Sequence, residues 1–217
     1  MEEIKVLNGA GSVQLVAVHG NESLIVKAAR VSYASDYKVD TDLSEADKRI
    51  LKTLIEKNHT TPLEHIIFTF KITCPIFVRS QWHRHRTWSY SELSRRFTSK
   101  NIDVYIPHNI KFKDIEVTDI EKDKAIKIFE AVSKNALDAY EELLKLGVYP
   151  EQARLVLPMN LMTVFYATVD LNNLLKFIEL REATDAQPEI VEYAKALKSF
   201  IEAKLPIFMS IYNACKK

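Results

Sequence analysis

The chain has 217 residues, 47% of them hydrophobic, and a formal net charge of +1. That is length for one domain with a real core, or at most two small ones. The charge is too small to build a global field for nucleic acid or a membrane surface. No apolar run approaches the roughly 20 residues of a membrane-spanning helix. Met1-Glu2-Glu3-Ile4-Lys5 is acidic where a signal peptide is basic, so a cytoplasmic protein is expected.

In chain order, Val13 to Val18 reads as a strand that turns at His19-Gly20-Asn21. Asn21 can cap a short helix reaching about Ala29. Ser44 with Asp47 three residues on forms a capping-box variant, and Ile50, Leu51, Leu54 and Ile55 follow at helical spacing. His59-Thr60-Thr61-Pro62 reads as a loop. Ile66, Phe68, Phe70 and Ile72 alternate with other residues as in a strand. Pro75 suits the first turn of a helix carrying Val78, Arg79, Gln81 and Trp82.

Ser89 to Ser94 reads as an irregular loop, and Val104-Tyr105-Ile106 as a strand stopped by Pro107. Thr118 and Glu121 form a capping box for a long helix. Its apolar stripe is Ile126, Phe129, Val132, Ala136, Ala139, Tyr140, Leu143 and Leu144, and Gly147 is its C-cap. Pro150 starts the helix that carries Arg154. Thr163 to Val169 fits either strand or helix. Asp170 caps a helix ending near Arg181, Pro188 opens the last helix, and Pro206 kinks or breaks it. Helices with three or four strands between them predict a single α+β domain over residues 1–217.

Two cysteines, Cys74 and Cys215, have no zinc or disulfide spacing. Gly9-Ala10-Gly11 is followed by Gln14, so the dinucleotide fingerprint is incomplete, and no phosphate-binding loop occurs. Any nucleotide must be held by side chains and helix ends. The chemistry is concentrated in Arg84-His85-Arg86-Thr87-Trp88-Ser89-Tyr90-Ser91-Glu92-Leu93-Ser94-Arg95-Arg96, with Arg79 and His83 upstream. Guanidinium forks match phosphate geometry and keep their charge. Hydroxyls can complete a phosphate shell or hold a ribose. The segment predicts a site for an anionic, phosphorylated ligand; its bland alternative is a solvated basic face.

Arg84-His85-Arg86, then seven residues, Ser94, one residue and Arg96 resembles the signature of flavin-dependent thymidylate synthases. The resemblance extends to Ala28-Ala29-Arg30-Val31-Ser32, to the His59–His65 block, to Pro75-Ile76-Phe77-Val78, to Glu151-Gln152-Ala153-Arg154 and to Leu180-Arg181 with Ala186-Gln187. It implies reductive methylation of dUMP to dTMP, with methylenetetrahydrofolate as carbon donor, NADPH as reductant and FAD as cofactor. It also implies a homotetramer whose active sites lie between subunits.

By that resemblance, Arg84, His85, Arg86, Glu92, Ser32 and Thr61 bind FAD. Gln81, Arg84, Glu92, Leu93, Ser94, Arg95, Arg96, Arg154 and Arg181 contact the nucleotide. Arg181 faces the pyrimidine, where its charge can stabilise developing negative charge. His59 lies by the flavin; the bland reading is a turn histidine. Ser94 is read as a ligand contact in preference to a nucleophile, because no serine–histidine–acid arrangement is legible. No metal is expected, since the histidine spacings match no common zinc pattern. The chain departs from the family at Asp170, Lys176, Asp185 and Phe97, so Asn172 or Lys176 is an alternative flavin contact. A nucleic-acid module with Trp82, Trp88 and Tyr90 as stacking platforms and a non-catalytic family member are the competing classes.

Overall fold

The computed structural model describes residues 2–32, 42–100, 102–108, 110–113 and 116–216. Its strands are β1 (Glu3–Val6), β2 (Gly11–His19), β3 (Ile67–Pro75), β4 (Ser89–Glu92) and β5 (Met162–Asp170). Its helices are α1 (Glu22–Val31), α2 (Glu45–Glu56), α3 (Ile76–Trp82), α4 (Asp119–Lys145), α5 (Pro150–Ala153), α6 (Leu171–Arg181), α7 (Pro188–Lys204) and α8 (Pro206–Cys215). The strands form one antiparallel sheet in the order β1-β2-β3-β5-β4, so the α+β expectation is met. Glu3 lies opposite Gln14 and Val6 opposite Gly11. The chain divides into two compact units.

The first unit comprises Met1–Ile72, His83–Ser91 and Tyr166–Lys217. Asn21 caps α1 by accepting the Leu24 N–H, as expected. Gly20 before it has φ +85°, a conformation that favours glycine. Ser44 and Asp47 close the predicted capping box on α2. Phe68, Phe70 and Ile72 of β3 are fully buried, one face of a two-residue alternation. Asp170 accepts the Asn173 N–H and starts α6, which buries Leu171, Leu174, Leu175, Phe177 and Ile178. α7 supplies Ile190, Tyr193, Leu197 and Ile201 to the same core. Pro206 separates α7 from α8, and α8 packs on α2.

The second unit comprises Thr73–Trp82 and Glu92–Phe165. Pro75 is the last residue of β3, and α3 starts one residue later than expected. The N–H groups of Ile76 and Phe77 donate to the carbonyls of Leu161 and Met159, at 2.9 and 3.1 Å. Trp82 is buried edge-on against Phe165, with ring centroids 5.5 Å apart. Asn160 donates to Tyr105 O and to Ser133 Oγ, tying the segment before β5 to α4.

Two expectations need correction. Ser89–Glu92 is a strand, β4, and not an irregular loop. Its serines and glutamate give no hydrophobic alternation; strand pairing supplies the order that composition hides. Val104 makes only an isolated bridge to Leu161, so the expected strand there reduces to one pair. On α4 the Thr118–Glu121 box and Gly147 at φ +85° are as expected. Its apolar stripe is only partly buried in the single chain. Only Ser133 and Tyr140 of α4 are buried, while Val132 is 59% exposed and Phe129 42%.

Candidate active site

The second unit holds a cavity of 330 Å³ lined by Ile76, Arg79, Glu92, Leu93, Ser94, Arg95, Arg154, Leu157, Leu161 and Thr163. Five residues assigned to the nucleotide from sequence, Glu92, Leu93, Ser94, Arg95 and Arg154, converge here. Glu92 is oriented from two sides. Its Oε1 accepts from Arg79 Nε at 3.1 Å and from Thr163 Oγ1 at 2.8 Å. Leu93 N–H donates to Val164 O at 2.9 Å, which fixes the turn that follows β4.

Arg95 is a buried anchor. Its Nη atoms donate to the carbonyls of Lys100 and Met162, so the charge is spent on backbone acceptors. Ser94 Oγ accepts the Arg96 N–H at 3.3 Å, a turn contact and not nucleophile activation. Arg96 is exposed and pairs with Glu151 at 3.1 Å. Arg154 is exposed at the start of a short 3-10 turn, Arg154–Val156, with Nε on Glu151 O. Gln81 lies on α3, half-buried. Cys74, fully buried behind Arg79 and Glu92, has its thiol pushed far up by burial and then by the Glu92 charge. It is an inert core residue.

The first unit holds a larger cavity of 770 Å³. It collects Ser32, His59 and Thr61, three of the residues assigned to the flavin side, with Arg30, Arg49, Thr53 and His65. Ile50, Leu54 and Pro62 give it apolar wall. Thr61 opens a 3-10 turn, Thr61–His65, in place of the expected open loop. Arg30 Nη2 reaches Asp47 Oδ1 at 2.7 Å, joining α1 to α2. Burial works against the charged Asp47, but the hydrogen bonds from Ser44 and Arg30 outweigh it and hold the carboxyl below its usual range. Hydroxyls, an imidazole and guanidinium groups over an apolar wall suit a flat ring system that carries phosphate.

Elsewhere in the first unit Arg181, the last residue of α6, donates from Nε to His85 Nε2 at 3.1 Å. Burial, then the Arg181 charge, pushes His85 down to about 4. Arg84 and Arg86 on either side are exposed. Asn172 is buried and donates to Glu64 Oε1 at 3.0 Å, whereas Lys176 is exposed on α6.

Thr163 in the smaller cavity and Arg49 and Thr53 in the larger were not singled out from the sequence, whereas Arg79 and Arg30 were named there without a contact. Arg49 and Thr53 were detectable as an i, i+4 pair on one face of α2. Thr163 was not, because its partner lies 71 residues away. Among the described residues no group of three His, Cys, Asp or Glu could hold a metal ion, and no helix is long and apolar enough to cross a membrane.

The family model described as Thymidylate synthase complementing protein matches residues 14–207. The flavin-dependent thymidylate synthase of Thermosipho africanus is 41% identical over 212 residues, covering 94% of this chain and 91% of that protein. The enzyme of the same name from Thermotoga neapolitana is 42% identical over 196 residues, with 90% and 88% covered. Among solved structures, the UMP/dUMP methylase PolB of Streptomyces cacaoi bound with 5-Br dUMP superposes with a TM-score of 0.84 at 28% identity. It covers 94% of this chain and 95% of that one.

Proposed function

This chain belongs to the flavin-dependent thymidylate synthase family, and we propose that it methylates dUMP to dTMP with methylenetetrahydrofolate and NADPH. The observation that carries the proposal is the convergence of Glu92, Leu93, Ser94, Arg95 and Arg154 on one cavity. The sequence signature had assigned these same residues to the nucleotide. A nucleic-acid module does not account for that convergence together with the family match, and turnover separates the enzyme from a non-catalytic relative.

When bound, FAD would supply the redox chemistry that completes the methyl group, with NADPH as the reductant. The remaining work belongs to side chains. Arg154 and Arg96 take the dUMP phosphate; the Arg96–Glu151 pair is exposed, so exchanging it costs little. Glu92, fixed by Arg79 and Thr163, presents an oriented acceptor to the nucleotide. Gln81 and Leu93 complete the nucleotide contacts, Ser94 holds a ligand oxygen, and Arg95 braces the turn. Arg181 offers positive charge where the pyrimidine ring becomes electron-rich. Ser32, Thr61 and His59 hold the flavin in the larger cavity, with Arg84, His85 and Arg86 as further FAD contacts.

The functional unit is the whole of residues 1–217, acting in the cytoplasm as a homotetramer with sites shared between subunits. The exposed apolar face of α4 supports such an assembly. The purified chain should take up FAD, turn yellow and oxidise NADPH. A colourless protein after incubation with FAD, or one that leaves NADPH untouched, contradicts the proposal.

A further inference from the structure

The nitrogen of His85 that faces Arg181 has one available role. Arg181 Nε carries a hydrogen and can only donate. At 3.1 Å, His85 Nε2 must therefore be the bare, accepting nitrogen, and the ring proton sits on Nδ1. His85 is itself held at its ring and at its backbone. Its ring packs against Phe177 of α6, with centroids 4.7 Å apart. Its backbone carbonyl accepts the Tyr90 hydroxyl of β4 at 2.9 Å. Trp88 closes the group, stacked on Tyr90 and tilted against Phe177. The arginine at the end of α6 is thus gripped through Nε by a ring that has little freedom to turn.

We propose that His85 is a positioning residue for Arg181: its unprotonated Nε2 accepts the Nε–H and sets the plane in which the guanidinium meets the bound pyrimidine. This role rests on the function proposed above and adds to it. The family signature assigns His85 to the flavin, whereas the hydrogen bond assigns it to the arginine. Burial and the neighbouring guanidinium both disfavour protonation of His85, which keeps the acceptor available across the neutral range. A long flexible side chain oriented by a hydrogen bond loses rotamer freedom before the ligand arrives, which is the general advantage of a preorganised site.

The test compares His85→Gln, whose amide oxygen can still accept, with His85→Phe, which keeps a ring against Phe177 and removes the acceptor. Arg181→Ala and the double variant His85→Phe/Arg181→Ala complete a cycle. The readouts are dUMP affinity by calorimetry, kcat and flavin content. His85→Phe should lose about tenfold in dUMP affinity or kcat, the scale of one charge-assisted hydrogen bond. Because His85 is also assigned an FAD contact, dUMP affinity and kcat are read on flavin-saturated protein, with flavin content recorded beside them. His85→Gln should recover most of the loss. The double variant should be no worse than Arg181→Ala alone. An unimpaired His85→Phe, a His85→Gln as poor as the phenylalanine variant, or losses that multiply in the double variant would overturn the role. A chain that binds dUMP but makes no dTMP defeats the proposed function, and the dUMP titrations still decide whether His85 acts through Arg181.

Discussion

Arg154 and Arg96 are held differently in the free protein: Arg154 lines the smaller cavity, while Arg96 pairs with Glu151. If both take the phosphate, Arg154→Ala or Arg96→Ala removes a charge-assisted bond worth about 1.5–3 kcal/mol. That is roughly ten- to a hundredfold in dUMP affinity, with FAD content unchanged, and titration calorimetry measures it. Ser94→Ala should keep measurable turnover, and mass spectrometry of the quenched reaction should find no adduct on residue 94. His85 also predicts a pH effect. Its folded value of about 4 lies below the ordinary value near 6.5. The unfolded chain therefore takes up a proton in that window and the folded chain does not. Stability from this group is full above about pH 6.5 and is lost as pH falls toward 4. Denaturant midpoints between those values should fall less steeply for His85→Phe than for the unsubstituted chain. At this scale the signature was readable because five site residues lie within the second unit close in sequence or on a family block. The contacts of Arg79 and Thr163 with Glu92 were not, because they depend on packing around that carboxylate.

The helices with strong end signals were legible: Asn21, Ser44, Thr118 and Asp170 each cap the element they were expected to cap. Thr163 to Val169, ambiguous by periodicity, is resolved as strand β5 by its place in the sheet between β3 and β4. β4 was hidden because Ser89-Tyr90-Ser91-Glu92 has no apolar alternation. The Asp47 cap does more than start α2. It also receives Arg30 from α1, with side chains only 4% and 18% exposed. Asp47→Ala should leave a largely buried guanidinium without that partner and cost about 3 kcal/mol or more, read as a shift in the urea unfolding midpoint. A shift below about 0.5 kcal/mol, the level of a surface substitution, would contradict this account of the α1–α2 junction.

For the whole molecule, the α4 stripe was legible as a pattern, but what covers it was not. Amphipathic spacing says that a face will be covered but not by what. Phe129, Val132 and Ile128 remain 42%, 59% and 55% exposed in the single chain, and a second copy is the proposed cover. Phe129→Glu with Val132→Glu should shift the assembly toward smaller species in light scattering without unfolding them. A tetramer unaffected by both charges would place the interface elsewhere. The central claim, that this chain makes dTMP, is tested most directly by incubating it with FAD, dUMP, methylenetetrahydrofolate and NADPH and separating the nucleotides. The account predicts dTMP that depends on all four and disappears in Arg181→Ala. Flavin-loaded protein that oxidises NADPH yet returns all the dUMP unchanged would contradict it.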